Sequence, residues 1–86
     1  MNKIFLGRSL EQLRYWAHEN RKTLDKIFDL LHDVERNGAA KGIGKPEPLR
    51  HRPGWSRRID DANRIVYRID GGIVKIVQCG SHYRDK

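Results

Sequence analysis

The sequence predicts a small α+β domain in which two N-terminal helices cover one face of a mainly antiparallel sheet, in the order β-α-α-β-β-β. Three observations carry this. Apolar residues recur at helical spacing in two stretches before Gly38, three β-branched and aromatic runs follow Trp55, and turn residues separate those runs. The 86 residues make one domain, 1–86, with room for one modest core and none for a deep cofactor cavity.

The elements follow in order. The run "NKIFL" (2–6) is short, apolar and closed by Gly7, and reads as a buried strand. Ser9 offers an N-cap hydroxyl with Gln12 at the capping-box position, and Leu10, Leu13, Trp16 and Ala17 make a first helix. Past Asn20, Leu24, Ile27, Phe28, Leu31 and Val34 form the apolar stripe of a second helix, which Gly38 closes. Between Ala39 and Gly54 neither periodicity survives, and the stretch reads as loop. Then "WSRRID" (55–60), "NRIVYRID" (63–70) and "GIVKIVQC" (72–79) form a meander, with turns at Asp61-Ala62 and Gly71-Gly72. In the middle strand Ile65, Tyr67 and Ile69 point to one face, and Arg64, Val66 and Arg68 to the other. One face is therefore apolar and the opposite face basic.

Charge narrows the partners. Eighteen Lys and Arg against eleven Asp and Glu give a formal +7 and a sequence pI near 10.0. Residues 41–86 hold eleven basic and five acidic residues, so nearly all the excess falls there. A polyanion such as nucleic acid is the expected partner of that half. A single cysteine, Cys79, and four scattered histidines give no metal-ligand spacing, so neither metal nor other cofactor is expected. No apolar run has the length of a signal peptide or a membrane span, and a reducing, cytoplasmic setting is the expectation.

The chemistry-bearing residues cluster in the same half. Glu47 stands between Pro46 and Pro48, with Lys45 and Arg50 close by. Proline on each side restricts the backbone, and the neighbouring cations favour the ionised carboxylate, which suits a general base. The plain alternative is a surface glutamate paired with Lys45 or Arg50. Arg57, Arg58, Arg64 and Arg68 lie on adjacent strands with few balancing carboxylates and read as bidentate phosphate donors. His82 could serve as a general acid and Tyr83 could stack on a base, although each has a structural alternative. Trp16, Trp55 and Cys79 read as core residues. A base, several arginines and a histidine form a minimal set for RNA cleavage in which the 2′-OH attacks its own 3′ phosphate.

The runs "GIGKPEPLRH", "WSRRIDDANRIVYRI" and the late "HY" resemble the YoeB/Txe family of bacterial toxins within the RelE superfamily, which reads GKPEPLKH, WSRRI, an HRL[VI]Y-type strand and HY. The match is close over residues 42–83 and looser in the helical half, through Tyr15 and Trp16. The resemblance implies a RelE-like fold and a type II toxin: a metal-independent endoribonuclease, or mRNA interferase, that cuts mRNA in the ribosomal A site and inhibits translation. It implies neutralisation by an acidic, YefM/Axe-like antitoxin whose disordered segment folds onto the toxin, and it is compatible with a homodimer. Residue by residue, it implies Glu47 as base, His82 as acid and Arg64 as transition-state stabiliser. Lys45, Arg50 and Arg58 would hold phosphates, and Tyr83 would place the substrate.

The chain departs from the pattern at four places. "RPG" (52–54) shortens a loop by about two residues, Arg50 replaces a lysine, Asn63 stands where a histidine is common, and Arg84-Asp85-Lys86 extends beyond the HY end. A different class remains open from the residues themselves: a non-catalytic RNA- or ribosome-binding module that uses the same basic face.

Overall fold

The computed structural model describes residues 1–80. Among them the order is β1 (Asn2–Phe5), α1 (Ser9–Glu19), α2 (Arg21–Asn37), β2 (Glu47–Pro48), β3 (Trp55–Arg58), β4 (Arg64–Asp70) and β5 (Ile73–Gly80). The sheet runs β1-β5-β4-β3-β2, parallel between β1 and β5 and antiparallel elsewhere. The α+β class and the helix–helix–meander order are those expected. One strand is additional, because β2 lies inside the stretch read as loop. Two residues, one of them a proline and the other preceded by one, carry no periodicity that could announce a strand.

The two helix starts differ in what holds them. The Asn20 side chain accepts a hydrogen bond from the Thr23 amide (3.2 Å) and caps α2. At α1 the expected capping box is absent: Ser9 lies inside the helix and is buried. Its hydroxyl lies 2.8 Å from the Leu6 carbonyl and 3.0 Å from that of Ile76, and Gln12 accepts from the Cys79 amide (2.9 Å). Trp16 donates its indole N–H to the Cys79 carbonyl (3.0 Å). Register pairing of β1 on β5 stops at Phe5 and Ile76, so Gln12 and Trp16 satisfy part of the β5 edge that β1 does not reach, while Ser9 adds to an Ile76 carbonyl that the Leu6 amide already meets.

The core forms where α2 meets the inward face of the sheet. Ile27, Leu30, Leu31 and Val34 pack with Ile65, Tyr67, Val74, Ile76 and Cys79, all fully buried. Burying each large apolar side chain contributes about 1.5–3 kcal/mol. The buried stripe of α2 is Thr23, Ile27, Leu30, Leu31 and Val34, rotated from the expected one. Leu24 and Phe28 instead turn toward α1 and line an apolar groove with Leu10, Leu13 and Ala17; Phe28 is exposed. β1 also departs from expectation. It is an edge strand of alternating exposure, with Ile4 exposed, and a Lys3–Glu35 ion pair connects it to α2. Among the described residues no helix is long and apolar enough to cross a membrane.

Both hairpins are set by turn chemistry. Gly71 and Gly72 take positive φ (55° and 76°), the pairing a tight primed turn requires. At the other turn the Asp60 carboxylate accepts from the Ala62 and Asn63 amides (2.9 and 2.8 Å) and from the Asn63 side chain. Asn63, at the position where a histidine is common in the resembled pattern, thus closes the β3–β4 turn.

Candidate active site

Register places the candidate residues. Glu47 pairs with Ser56 and Ser56 with Val66, while Val66 pairs with Gln78, so these form one row across the outward face. Arg58, Arg64 and Gly80 form the neighbouring row. From there the Arg64 side chain reaches diagonally across the pleat. Its Nη1 donates to the Ser56 hydroxyl (3.2 Å), and its Nη2 lies 3.8 Å from the Glu47 carboxylate. Arg64 is 17% exposed and Glu47 59%, so the carboxylate stands at the open side of a guanidinium that the sheet holds. Arg58 lies directly opposite Arg64. The Arg64 guanidinium leans from that position toward Ser56 and Glu47, and Arg58 adds a second arginine to the same face.

Lys45 and Arg50 bracket Glu47 in sequence, and both are exposed. Lys45 is, among the described residues, the non-glycine residue with positive φ (51°), at the point where the chain turns into β2. Arg50 lies in the 49–54 loop, which the Leu49 amide closes on the Gly54 carbonyl (3.0 Å). Gly54 sits at φ 128°, and a Cβ there would meet the Tyr67 carbonyl at 2.9 Å. His82, Tyr83 and the Arg84-Asp85-Lys86 extension lie outside the described residues.

The four arginines do not form one surface. Arg57 points inward, is 0% exposed, and contacts Asp33 at 2.5 Å. It also donates to the Tyr67 hydroxyl (2.8 Å) and to the carbonyls of Ile43 (3.1 Å), Gly38 (2.8 Å) and Lys41 (2.6 Å). With every donor directed at protein oxygen, Arg57 is withdrawn from anion binding. Arg68 pairs with Asp70 (2.9 Å) at the far end of β4. The outward arginines beside Glu47 are therefore Arg58 and Arg64. Ser56 joins them, a residue not singled out in the sequence. Strand alternation was the available signal, since period two across "WSRR" sends Ser56 and Arg58 to one face and Arg57 to the other.

The ionisable groups divide in the same way. The Arg57 hydrogen bond, helped by the Ile43 amide and opposed by burial, holds the Asp33 carboxyl below its ordinary range. Burial pushes the Tyr67 phenol up against the lowering effect of Arg57, so it stays protonated and donates to the Ala39 carbonyl (2.7 Å). Burial pushes the Cys79 thiol up to about 12, and it donates to the Ser9 carbonyl. Cys79 is an inert core residue, as expected. Trp16 and Trp55 pack at the margin of the core.

The chain is similar to known proteins over nearly its whole length. Residues 5–83 match the family described as YoeB-like toxin of bacterial type II toxin-antitoxin system. Toxin YoeB of Streptomyces coelicolor is 40% identical over 96% of this chain and 100% of its own length. Two Staphylococcus aureus structures superpose at a TM-score of 0.90 over 96% of this chain and 98% of theirs. One is a heterotetrameric YoeB-YefM toxin-antitoxin complex (39% identical) and the other a YoeB dimer (40%).

Proposed function

The chain belongs to the YoeB-like toxins of bacterial type II toxin-antitoxin systems, and from that premise we propose that it is a ribosome-dependent endoribonuclease that cuts mRNA in the A site. The observation that carries this reading is the Glu47–Arg64–Ser56 arrangement. It sets a solvent-facing carboxylate 3.8 Å from a guanidinium held on the sheet, with a second arginine opposite.

In the proposed reaction Glu47 takes the proton of the 2′-OH on the 5′ side of the cut. The 2′ oxygen attacks the adjacent phosphorus and the P–O5′ bond breaks. His82 gives a proton to the departing 5′ oxygen, leaving a 2′,3′-cyclic phosphate and a 5′-OH. Arg64 offsets the charge of the phosphorane, where fixed donors act most strongly. Lys45, Arg50 and Arg58 hold flanking phosphates and Tyr83 places the substrate. The cycle needs no metal. The setting is the cytoplasm, where ribosomes present mRNA. The Staphylococcus relatives, one in complex with YefM and one a dimer, support an antitoxin partner and a homodimer for this chain too; the formal +7 of the chain suits an acidic one.

Programmed ribosomes test the reading. The purified chain should cut the A-site codon and leave a 2′,3′-cyclic end. Glu47→Gln should slow cleavage by at least about 10²-fold while RNA binding is retained. Equal cleavage by Glu47→Gln would overturn the mechanism, and RNA binding with no cut product from the parent would favour the non-catalytic module.

A further inference from the structure

We propose that Arg57, Asp33 and Tyr67 form a positioning cluster that holds the 38–46 loop and thereby sets where Glu47 stands against Arg64; the catalytic half of this rests on reading Glu47 as the base. None of the three residues touches substrate. They act through the backbone that leads into β2.

Apart from Ala39, which packs against the core, the loop has little apolar anchorage. Its one large apolar residue, Ile43, is 45% exposed, and Lys41 and Gly42 are exposed as well. Arg57 takes the place of an apolar anchor. Its five N–H groups meet Asp33, Tyr67 and the carbonyls of Gly38, Lys41 and Ile43. Asp33 accepts in addition from the Ile43 amide (3.0 Å), and Tyr67 donates to the Ala39 carbonyl. Loop residues 38, 39, 41 and 43 are thus tied to one buried guanidinium and its two partners. Two glycines allow the approach. A Cβ at Gly42 would lie 1.7 Å from an Asp33 oxygen, and one at Gly44 would lie 2.7 Å from Leu30 and 3.1 Å from the Arg58 carbonyl.

The link to the site is short. The Gly44 carbonyl accepts from the Arg58 amide (2.6 Å), Lys45 turns the chain, and Pro46 precedes Glu47. β2 is two residues long and makes two register pairs with β3, which is too little to fix its own position. Arg57 lies between Ser56 and Arg58, which face the site. One strand therefore grips the loop from its inward side and carries the phosphate-facing residues on its outward side.

The test uses Asp33→Asn and the milder Tyr67→Phe, read by amide hydrogen exchange and by single-turnover cleavage on programmed ribosomes. Exchange at the Arg58 amide should rise at least about 10-fold while amides of α1 and the β1–β5 pair hold within about 2-fold, a local opening. The cleavage rate should fall by about 10- to 100-fold with KM within about 2-fold, as expected for a misplaced base. Arg57→Lys should not rescue, since one ammonium cannot meet five acceptors. Three results overturn the proposal. These are unchanged exchange at Arg58, a uniform rise across all amides with activity falling only as the folded fraction falls, or a loosened loop with an unchanged rate. If the parent cuts no RNA, the reading of Glu47 fails, whereas exchange at Arg58 still decides whether the cluster holds the loop.

Discussion

Arg57 and Arg58 are neighbours of the same type on the same strand, and the pleat sends them to opposite fates. Arg57 enters the interior, where the Asp33 carboxylate, the Tyr67 hydroxyl and three carbonyls meet its donors. Arg58 turns outward and is half-buried, facing Arg64 across the β3–β4 ladder. A guanidinium surrounded by protein oxygen organises the chain, whereas one on the outward face of the sheet is left beside the Glu47 and Arg64 side chains. Counting arginines in a basic half therefore overstates the binding surface.

The largest effect should come from breaking the inward member. Arg57→Leu removes the partner of a mostly buried Asp33 and leaves three loop carbonyls without their donor. Removing one member of a buried pair costs about 3–5 kcal/mol, a large share of the roughly 5–15 kcal/mol by which domains are stable. Urea denaturation should show that loss for Arg57→Leu and a change within about 0.5 kcal/mol for Arg58→Leu, the value typical of surface positions. Equal losses would erase the distinction between the two arginines.

Next in size is the backbone side of the same cluster. Gly42→Ala forces a methyl against Asp33 at φ 120°, and should destabilise by about 2 kcal/mol or more. Gly38→Ala, with nothing within 4 Å of the new carbon, meets only the cost of an essentially glycine-only backbone region (φ 86°, ψ −176°), about 1–3 kcal/mol. Thermal melts of the pair separate close approach from conformational freedom.

Much of this was legible from residue order. The meander, both helices and Cys79 as an inert core residue all follow from local chemistry. What could not be read depends on contacts remote in sequence. Arg57 and Asp33 are 24 positions apart, and Ser9 and Gln12 read as a capping box until β5, 67 positions away, is seen to receive both. The α2 stripe was misread because Leu24 and Phe28 satisfy helical spacing as well as Thr23 and Leu30 do, and only the position of α1 decides which face turns inward. β2 owes its assignment to pairing with β3 rather than to its own sequence.

A smaller effect separates the two regions by pH. Arg57 holds the Asp33 carboxyl below the ordinary 3.8. Between the folded and unfolded values the unfolded chain binds more protons, so this contribution is complete above about pH 4 and is lost as pH falls through the folded value. Asp60 and Asp70 are lowered too, so the parent keeps some acid sensitivity from them. Denaturation midpoints between pH 6 and 3 should therefore fall less steeply in Asp33→Asn than in the parent. Parallel slopes would mean that the Asp33 pairing adds nothing to acid sensitivity.

The smallest change in stability should accompany the clearest change in binding. Arg58→Ala removes one of two cations at paired register positions of the outward face, and takes away no hydrogen bond or ion pair that holds the fold among the described residues. Its stability should stay level. Against a 2′-deoxy RNA analogue that cannot be cut, affinity should fall and the slope of log K against log salt should shrink by about 0.7, one phosphate contact on a single strand. Arg68→Ala, whose guanidinium already pairs with Asp70, should leave that slope unchanged. If Arg68→Ala flattens the slope as much as Arg58→Ala does, RNA reads the whole basic face and not the row beside Glu47. The catalytic arrangement would then lose its claim to be where the phosphate sits.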